Sequence, residues 1–261
     1  MTLDPILPMF EPTQKKRSAG WTVLFITFAT LLAASAEPPS GLVAAWSGVD
    51  NGRDSLGKHD AVLTDITFAP SKTGQAFIFN GKSSQLKIPA SPAFGAGLTN
   101  GFTIEAWISP SNVTDSHAIF EWNDGIGSWG VHLNISPGQP FNVHPGPGEL
   151  FANLVDSRGV WHELSSSGNV VITNVLQYVA LTYDRKSGEA KIYCNGEVVA
   201  DRDLGNFEPQ TSYDLYLGRL PLTHGETFAF KGEMDEFAVY NLALSDTQIK
   251  TSYRHQCALQ K

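Results

Sequence analysis

Two acids on one strand-like run carry the most pointed chemistry in this chain. In FKGEMDEFAVYNLALSDTQIKTSY (230–253), Glu233 and Asp235 stand two residues apart. On an extended strand that spacing puts both side chains on one face. A third acid two residues further would complete a row of nucleophile, orienting Asp and general acid/base for glycoside hydrolysis. The retaining form of that reaction needs two catalytic carboxyls about 5–5.5 Å apart. Here the third position is Phe237, and Glu236 faces the other way unless a bulge intervenes. The row ends one carboxylate short. No catalytic residue is assigned, and a degenerate glycoside hydrolase is the most remote of the functions considered.

Aromatic residues offer a second kind of chemistry. Trp46, Trp122, Trp129 and Trp161 could each stack on the C–H face of a sugar ring, and Trp122 and Trp129 flank the loop Asn123-Asp124-Gly125-Ile126-Gly127-Ser128. An aromatic ring beside an amide and a carboxylate suits a sugar site. The ligand-binding expectation is therefore Trp122, Asn123, Asp124 and Trp129. The same rings could instead fill a core. Glu105 and Trp107, on the mixed face of one strand, form a weaker second candidate. The His residues 59, 117, 132, 144, 162, 224 and 255 show no HExxH spacing, and no Gly-x-Ser-x-Gly elbow is present. Zinc and an elbow serine nucleophile are not indicated.

These side chains must be held by a scaffold, and the chain opens with an export signal before it. Lys15-Lys16-Arg17 precedes the apolar run 21–34, and Ala34-Ser35-Ala36 supplies a small-x-small cleavage site. Met9 would give a more ordinary signal length. The apolar run is shorter than the roughly 18–20 residues of a spanning helix. The expected division is a signal over 1–36 and one domain over 37–261, secreted or held at the cell surface, with no membrane span in the mature chain. An uncleaved N-terminal helix acting as anchor is the alternative. Of 18 Lys+Arg and 26 Asp+Glu, the signal removes three and two, so the mature domain carries a net charge of about −9. Nucleic acid and anionic membrane surfaces both require a cationic footprint, so neither is expected as a partner. Cys194 and Cys257 could pair after export to an oxidising compartment.

The remainder reads as short strands separated by Gly, Asn, Pro and Ser turns. Strands are expected over 42–47, 75–80, 84–88, 102–109, 117–122, 129–135, 149–155, 177–183, 190–195, 214–218 and along the closing run from 230, and 177–200 reads as a three-strand meander whose third strand follows Asn195-Gly196. Asn80-Gly81, Asn100-Gly101 and Asn195-Gly196 mark turns, because Asn and Gly accept positive φ. In FTIEAWIS, Phe102, Ile104, Ala106 and Ile108 alternate with Thr103, Glu105 and Trp107. One helix is predicted: Ser245 and Gln248 form a capping box, and Leu244, Ile249 and Tyr253 fall on one face. The fold class expected is all-β, two packed antiparallel sheets with one short C-terminal helix.

In order and spacing, the segments 41–63, 68–89, 102–110, 178–200, 211–219 and 230–249 resemble the LamG-like jellyroll domains of the concanavalin A-like lectin/glucanase superfamily. The similarity is greatest to exported bacterial modules. It implies a jellyroll sandwich and a non-catalytic binding module that recognises carbohydrate or another extracellular ligand through loops at the sheet rim. It also implies a structural Ca²⁺, with Asp235 as ligand and carbonyls near Asn80, Gly81 and the first strand as partners; alternatively Asp235 accepts backbone N–H groups and holds the strand end. Two departures stand out: Lys82-Ser83-Ser84 replaces the family's acidic pair, and Leu176-Gln177-Tyr178 replaces its Trp-His-His. The expected partner is an extracellular glycan, or a surface protein if the domain is structural or adhesive.

Overall fold

The computed structural model describes residues 40–72, 74–219 and 228–259. The proposed signal segment lies outside the described residues. Fifteen strands and one α-helix follow in order: β1 Leu42–Trp46, β2 Val62–Thr64, β3 Thr67–Ser71, β4 Gly74–Asn80, β5 Gln85–Ile88, β6 Gly101–Pro110, β7 His117–Asn123, β8 Trp129–Ser136, β9 Glu149–Asn153, β10 Glu163–Ser165, β11 Gln177–Asp184, β12 Glu189–Cys194, β13 Glu197–Asp203, β14 Asp214–Leu217, β15 Lys231–Tyr240 and α1 Asp246–Leu259. They form two antiparallel sheets. One runs β13-β12-β11-β6-β15-β4-β3, with β1 also on β15; the other runs β10-β9-β8-β7-β14-β5-β2. The expected sandwich and helix are both present.

The core lies between the sheets and follows from period-2 alternation. Phe102, Ile104, Ala106 and Ile108 on β6 meet Val179, Leu181 and Tyr183 on β11 and Phe120, Trp122, Val131 and Leu133 of the facing sheet. Burying a side chain of this size contributes roughly 1.5–3 kcal/mol relative to leaving it exposed. A second apolar cluster covers the outer face of the eight-stranded sheet, where Trp107, Tyr178, Tyr193 and Tyr240 pack under Leu244 and Ile249. The capping box forms as the sequence implies: Ser245 N donates to Gln248 Oε1 at 3.0 Å, and Gln248 N to Ser245 Oγ at 3.4 Å. Tyr253 of α1 then stacks on Trp107 at 5.8 Å.

Helix α1 overturns the Glu105–Trp107 candidate. Both residues are almost fully buried beneath it. Glu105 accepts hydrogen bonds from Tyr178 OH at 2.5 Å, Tyr240 OH at 3.1 Å and Gln256 Nε2 at 3.2 Å. Trp107 Nε1 donates to Gln256 Oε1. These two residues fasten the helix and offer no ligand surface.

The cysteine pairing is corrected too. Both thiols are free. Cys194 lies opposite Val179 of β11 and so faces the inter-sheet core, while Cys257 packs against the cluster under α1 on the other side of that sheet. Opposite faces of one strand layer cannot be bridged.

Candidate functional site

The closing strand settles the geometry of the acids. On β15, Asp235 lies opposite Trp107 and Ala238 opposite Glu105, so three steps on β15 face two on β6. This β-bulge includes Glu236, whose φ is 49°. It reverses the alternation, so Phe237 turns into the core beside Trp46 and Phe120. Burial, and then the charges of Asp235 and Glu105, push the Glu236 carboxyl up to about 7. Phe237 leaves the Glu233–Asp235 row without its third carboxylate.

Asp235 Oδ1 accepts from Gly48 N at 2.9 Å and Glu236 N at 2.8 Å. Asn80 lies opposite Lys231, four residues before Asp235 on β15, a distance of about 13 Å along a strand. Its Oδ1 accepts from the N–H groups of Lys82, Ser83 and Ser84, and Gly81 N donates to Phe230 O. Asp235, Asn80 and Gly81 are therefore not brought together. The donor set around Asp235 Oδ1 is N–H, whereas calcium takes oxygen ligands. Among the described residues, no group of three or more His, Cys, Asp or Glu could hold a metal ion. The three residues do not fit a shared calcium site.

The sugar-site residues separate in a different way. Trp122 is fully buried and packs edge-on to Phe120, so the structure overturns its role as a stacking platform. Asn123 is fully buried as well, donating from Nδ2 to Glu121 Oε1 at 2.6 Å and accepting from Gly125 N at 2.7 Å. Asp124 shapes the loop: its Oδ1 accepts from Ile126 N, Gly127 N and Ser128 N, each at 2.9 Å. Desolvation raises its pKa, but the hydrogen bonds from Ser128, Ile126 and Gly127 together prevail and push it down to about 2.

Trp129 does reach a surface. Glu121 lies opposite His132 and Asn123 opposite Trp129, so two steps on β7 face three on β8. The extra residue turns Trp129 away from the inward phase of Val131 and Leu133. Gly130 makes the turn workable, because a Cβ there would sit 2.3 Å from Gln210 O and 2.8 Å from Trp122 Cβ. Trp129 then meets Trp161 at a centroid distance of 5.2 Å and an angle of 38°, and Trp161 is 51% exposed.

Trp161 is carried by the turn between β9 and β10. Asp156 holds that turn: its Oδ1 accepts from Arg158 N at 2.8 Å and Val160 N at 2.9 Å, and its Oδ2 receives Arg158 Nη2 at 2.7 Å. Desolvation raises the Asp156 pKa, but the N–H of Val160 and the Arg158 side chain outweigh it and bring it down to about 2. His162 stacks flat on Phe207 at 3.7 Å, anchoring the far side.

The two indoles form a wall shared by two cavities. The larger, of about 510 Å³, opens over Ser128, Asp156, Arg158, Gln210 and Tyr213. The smaller, of about 150 Å³, runs inward over Glu121, His132, Asn134 and Phe151. Glu121 and His132 belong to a row of outward residues, Tyr216–Glu121–His132–Asn153, that crosses four neighbouring strands in register. Burial pushes the Glu121 carboxyl up to about 7 against the Asn123 hydrogen bond, and pushes the His132 ring down to about 4. Neither residue belongs to the ligand-binding set expected from the sequence, where His132 stands only among the histidines without metal spacing. Their signal was the strict alternation of polar Glu121, His132 and Asn134 with apolar Phe120, Trp122, Val131 and Leu133.

Comparison with known families decides the affiliation. A model described as concanavalin A-like lectin/glucanases superfamily matches residues 80–250, more than half of the chain. The chain belongs to that superfamily. Among solved structures, this concanavalin A-like domain is similar to domain 4 of AbnA, a GH43 extracellular arabinanase from Geobacillus stearothermophilus, in complex with arabinotriose. That match has 23% identity and a TM-score of 0.59 over 81% of this chain and 97% of the other. It is also similar to the ligand binding domain of botulinum neurotoxin serotype D in complex with N-acetylneuraminic acid, at 14% identity and a TM-score of 0.62, covering 82% and 50%. The binding domain of Paraclostridial Mosquitocidal Protein 1 matches at 15% identity and a TM-score of 0.61, covering 82% and 52%. The chain thus spans about half the length of the toxin domains. At these identities the likeness is one of fold. No curated protein matches. Among the described residues, no helix is long and apolar enough to cross a membrane.

Proposed function

We propose that this domain is an exported, non-catalytic carbohydrate-binding module whose ligand lies across the Trp129–Trp161 wall. The observation that carries the proposal is that wall itself: two tilted indoles in contact, one of them half exposed, between two cavities whose linings include polar groups. Aromatic faces receive the C–H faces of sugar rings, and the nearby Gln210 and Arg158 side chains hydrogen-bond hydroxyls. Both turns beneath the wall are pinned by aspartates that accept several N–H groups, so the platform is pre-organised and little ordering cost falls on binding. The neighbours whose structures hold arabinotriose and N-acetylneuraminic acid support the carbohydrate reading, and the extracellular arabinanase supports export. The superfamily also includes glucanases, but the interrupted Glu233–Asp235 row supports binding over hydrolysis.

A glycan array tests the proposal. Retention of at least one glycan class, reduced by Trp129→Ala or Trp161→Ala, is the expected result. A blank array together with binding to surface proteins would favour the adhesive function instead.

A further inference from the structure

The smaller cavity behind the indole wall has an unusual lining. Ser116, Ser136 and Gln139 contribute to it, and beside them three polar groups present acceptors that lack a full set of donors. His132 Nδ1 lies 3.0 Å from Gly130 O, so Nδ1 carries the proton, and Nε2 of the neutral ring is an acceptor. Glu121 receives one hydrogen bond, from Asn123 at 2.6 Å, among the described residues. Asn134 Oδ1 is buried and finds no donor among them. Behind this lining, Glu149 is fully buried with Oε1 also unpartnered among the described residues. The apolar part of the wall is aromatic, formed by Trp129, Phe151, Trp161 and Phe228.

Such a cavity calls for a compact donor with positive charge. A hard metal cation takes six to eight oxygens and favours several carboxylates, whereas Glu121 is the one carboxylate of this lining, and no group of three or more His, Cys, Asp or Glu among the described residues could hold a metal ion. An ammonium group, by contrast, offers three N–H donors and is attracted to aromatic faces. The volume of about 150 Å³ is that of a cavity which admits one six-membered ring. We propose that this cavity receives the protonated amine of a 2-amino sugar, Glu121 forming the ion pair while the sugar face rests on Trp161. The proposal rests on the carbohydrate-binding reading and adds the substituent that the rim selects.

Isothermal titration of the whole protein with three neutralised trimers separates the outcomes: glucosamine trimer, its fully N-acetylated form, and the glucose trimer of the same linkage. The expected result is that the free-amine trimer binds about tenfold or more tighter than the other two, as suits one charge-assisted contact. Glu121→Gln should remove the preference for the free-amine trimer. The ligand comparison on the unaltered protein stands even where that variant folds poorly. Equal binding of all three trimers would overturn the amine site and leave the carbohydrate reading intact. A preference that survives in well-folded Glu121→Gln would also overturn it, since net negative charge alone would explain the result. Binding by none of the trimers, with other glycans retained on an array, would overturn the amine site alone; binding by no glycan at all would overturn both.

Discussion

Asp235 Oδ1 accepts the Gly48 N–H at 2.9 Å across 187 residues of chain. The bond sits where one edge of β15 changes partner: β4 pairs with Lys231–Met234, and β1 pairs with Phe237–Tyr240. Gly48 lies just beyond β1, so the carboxylate joins the first strand to the last at the break between two ladders. The acid that suggested catalysis is placed as an architectural clasp.

Removing the clasp should destabilise the sandwich. Asp235→Ala leaves the N–H groups of Gly48 and Glu236 without their acceptor in a buried place, which costs about 1–3 kcal/mol per group. Urea denaturation should show a lower midpoint with an unchanged slope. An unaltered midpoint would mean that the clasp contributes nothing.

Calcium addition and chelation should leave the melting temperature of the protein unchanged, because Asp235, Asn80 and Gly81 do not converge and backbone N–H groups face the carboxylate. A rise of several degrees with Ca²⁺ that Asp235→Ala removes would contradict this.

The thiols should behave as two independent groups. Cys194 is buried, receives Gln177 Nε2 at 3.3 Å, and burial pushes its pKa up to about 11. A thiolate-seeking reagent should label Cys257 in the native protein and both cysteines in denaturant. Reductant should not move the melting temperature. Protection of both thiols in the native state, reversed by reductant, would instead indicate a disulfide.

Stability should peak in mildly acidic solution. Glu121 and Glu236 have folded pKa values near 7 against ordinary values near 4.5, so between those limits the folded state holds more protons than the unfolded chain. Each therefore favours folding at low pH and loses that advantage as pH rises through 7. Burial shifts Glu105 the same way, against hydrogen bonds from Tyr178, Tyr240 and Gln256. His132 acts oppositely: held near 4 when folded, it costs stability as pH falls from about 6.5 to 4. Asp124 and Asp156, held near 2, withdraw their support as pH falls below about 4. More groups favour protonation than oppose it above pH 5, so stability should fall from about pH 5 to 7 and also below pH 4. Glu121→Gln should make the upper fall shallower by up to about 1.4 kcal/mol per pH unit, the weight of one proton. Identical slopes for the two proteins would contradict the assignment of Glu121.

Much of this fold was legible in residue alternation, and the omissions share a cause. Val62–Thr64, Thr67–Ser71 and Glu163–Ser165 were not anticipated as strands; they are short and lie at sheet edges. One of them carries Pro70, which an edge strand tolerates. Strands with one neighbour need little apolar patterning. The phase shift at Asp235–Glu236 could be read from the sequence because a bulge changes which side chains face inward, and Met234 and Phe237 are both core residues. The same kind of bulge on β8 escaped notice. It exchanges the expected roles of two tryptophans, with Trp122 in step with Phe120 in the core and Trp129 turned out. Trp161 could be named from the sequence but not placed, since its pairing with Trp129 depends on a turn set by Asp156.

The central claim is that the Trp129–Trp161 wall binds carbohydrate, and parallel glycan arrays of the unaltered protein and Trp161→Ala test it most directly. Trp161 is half exposed, so its removal should leave the fold and melting temperature intact. The account predicts that the unaltered protein retains a defined set of glycans and that the variant loses affinity for them by about tenfold, the order expected for one aromatic stack. A set of glycans bound equally by both proteins, or no glycan bound by either, would contradict it.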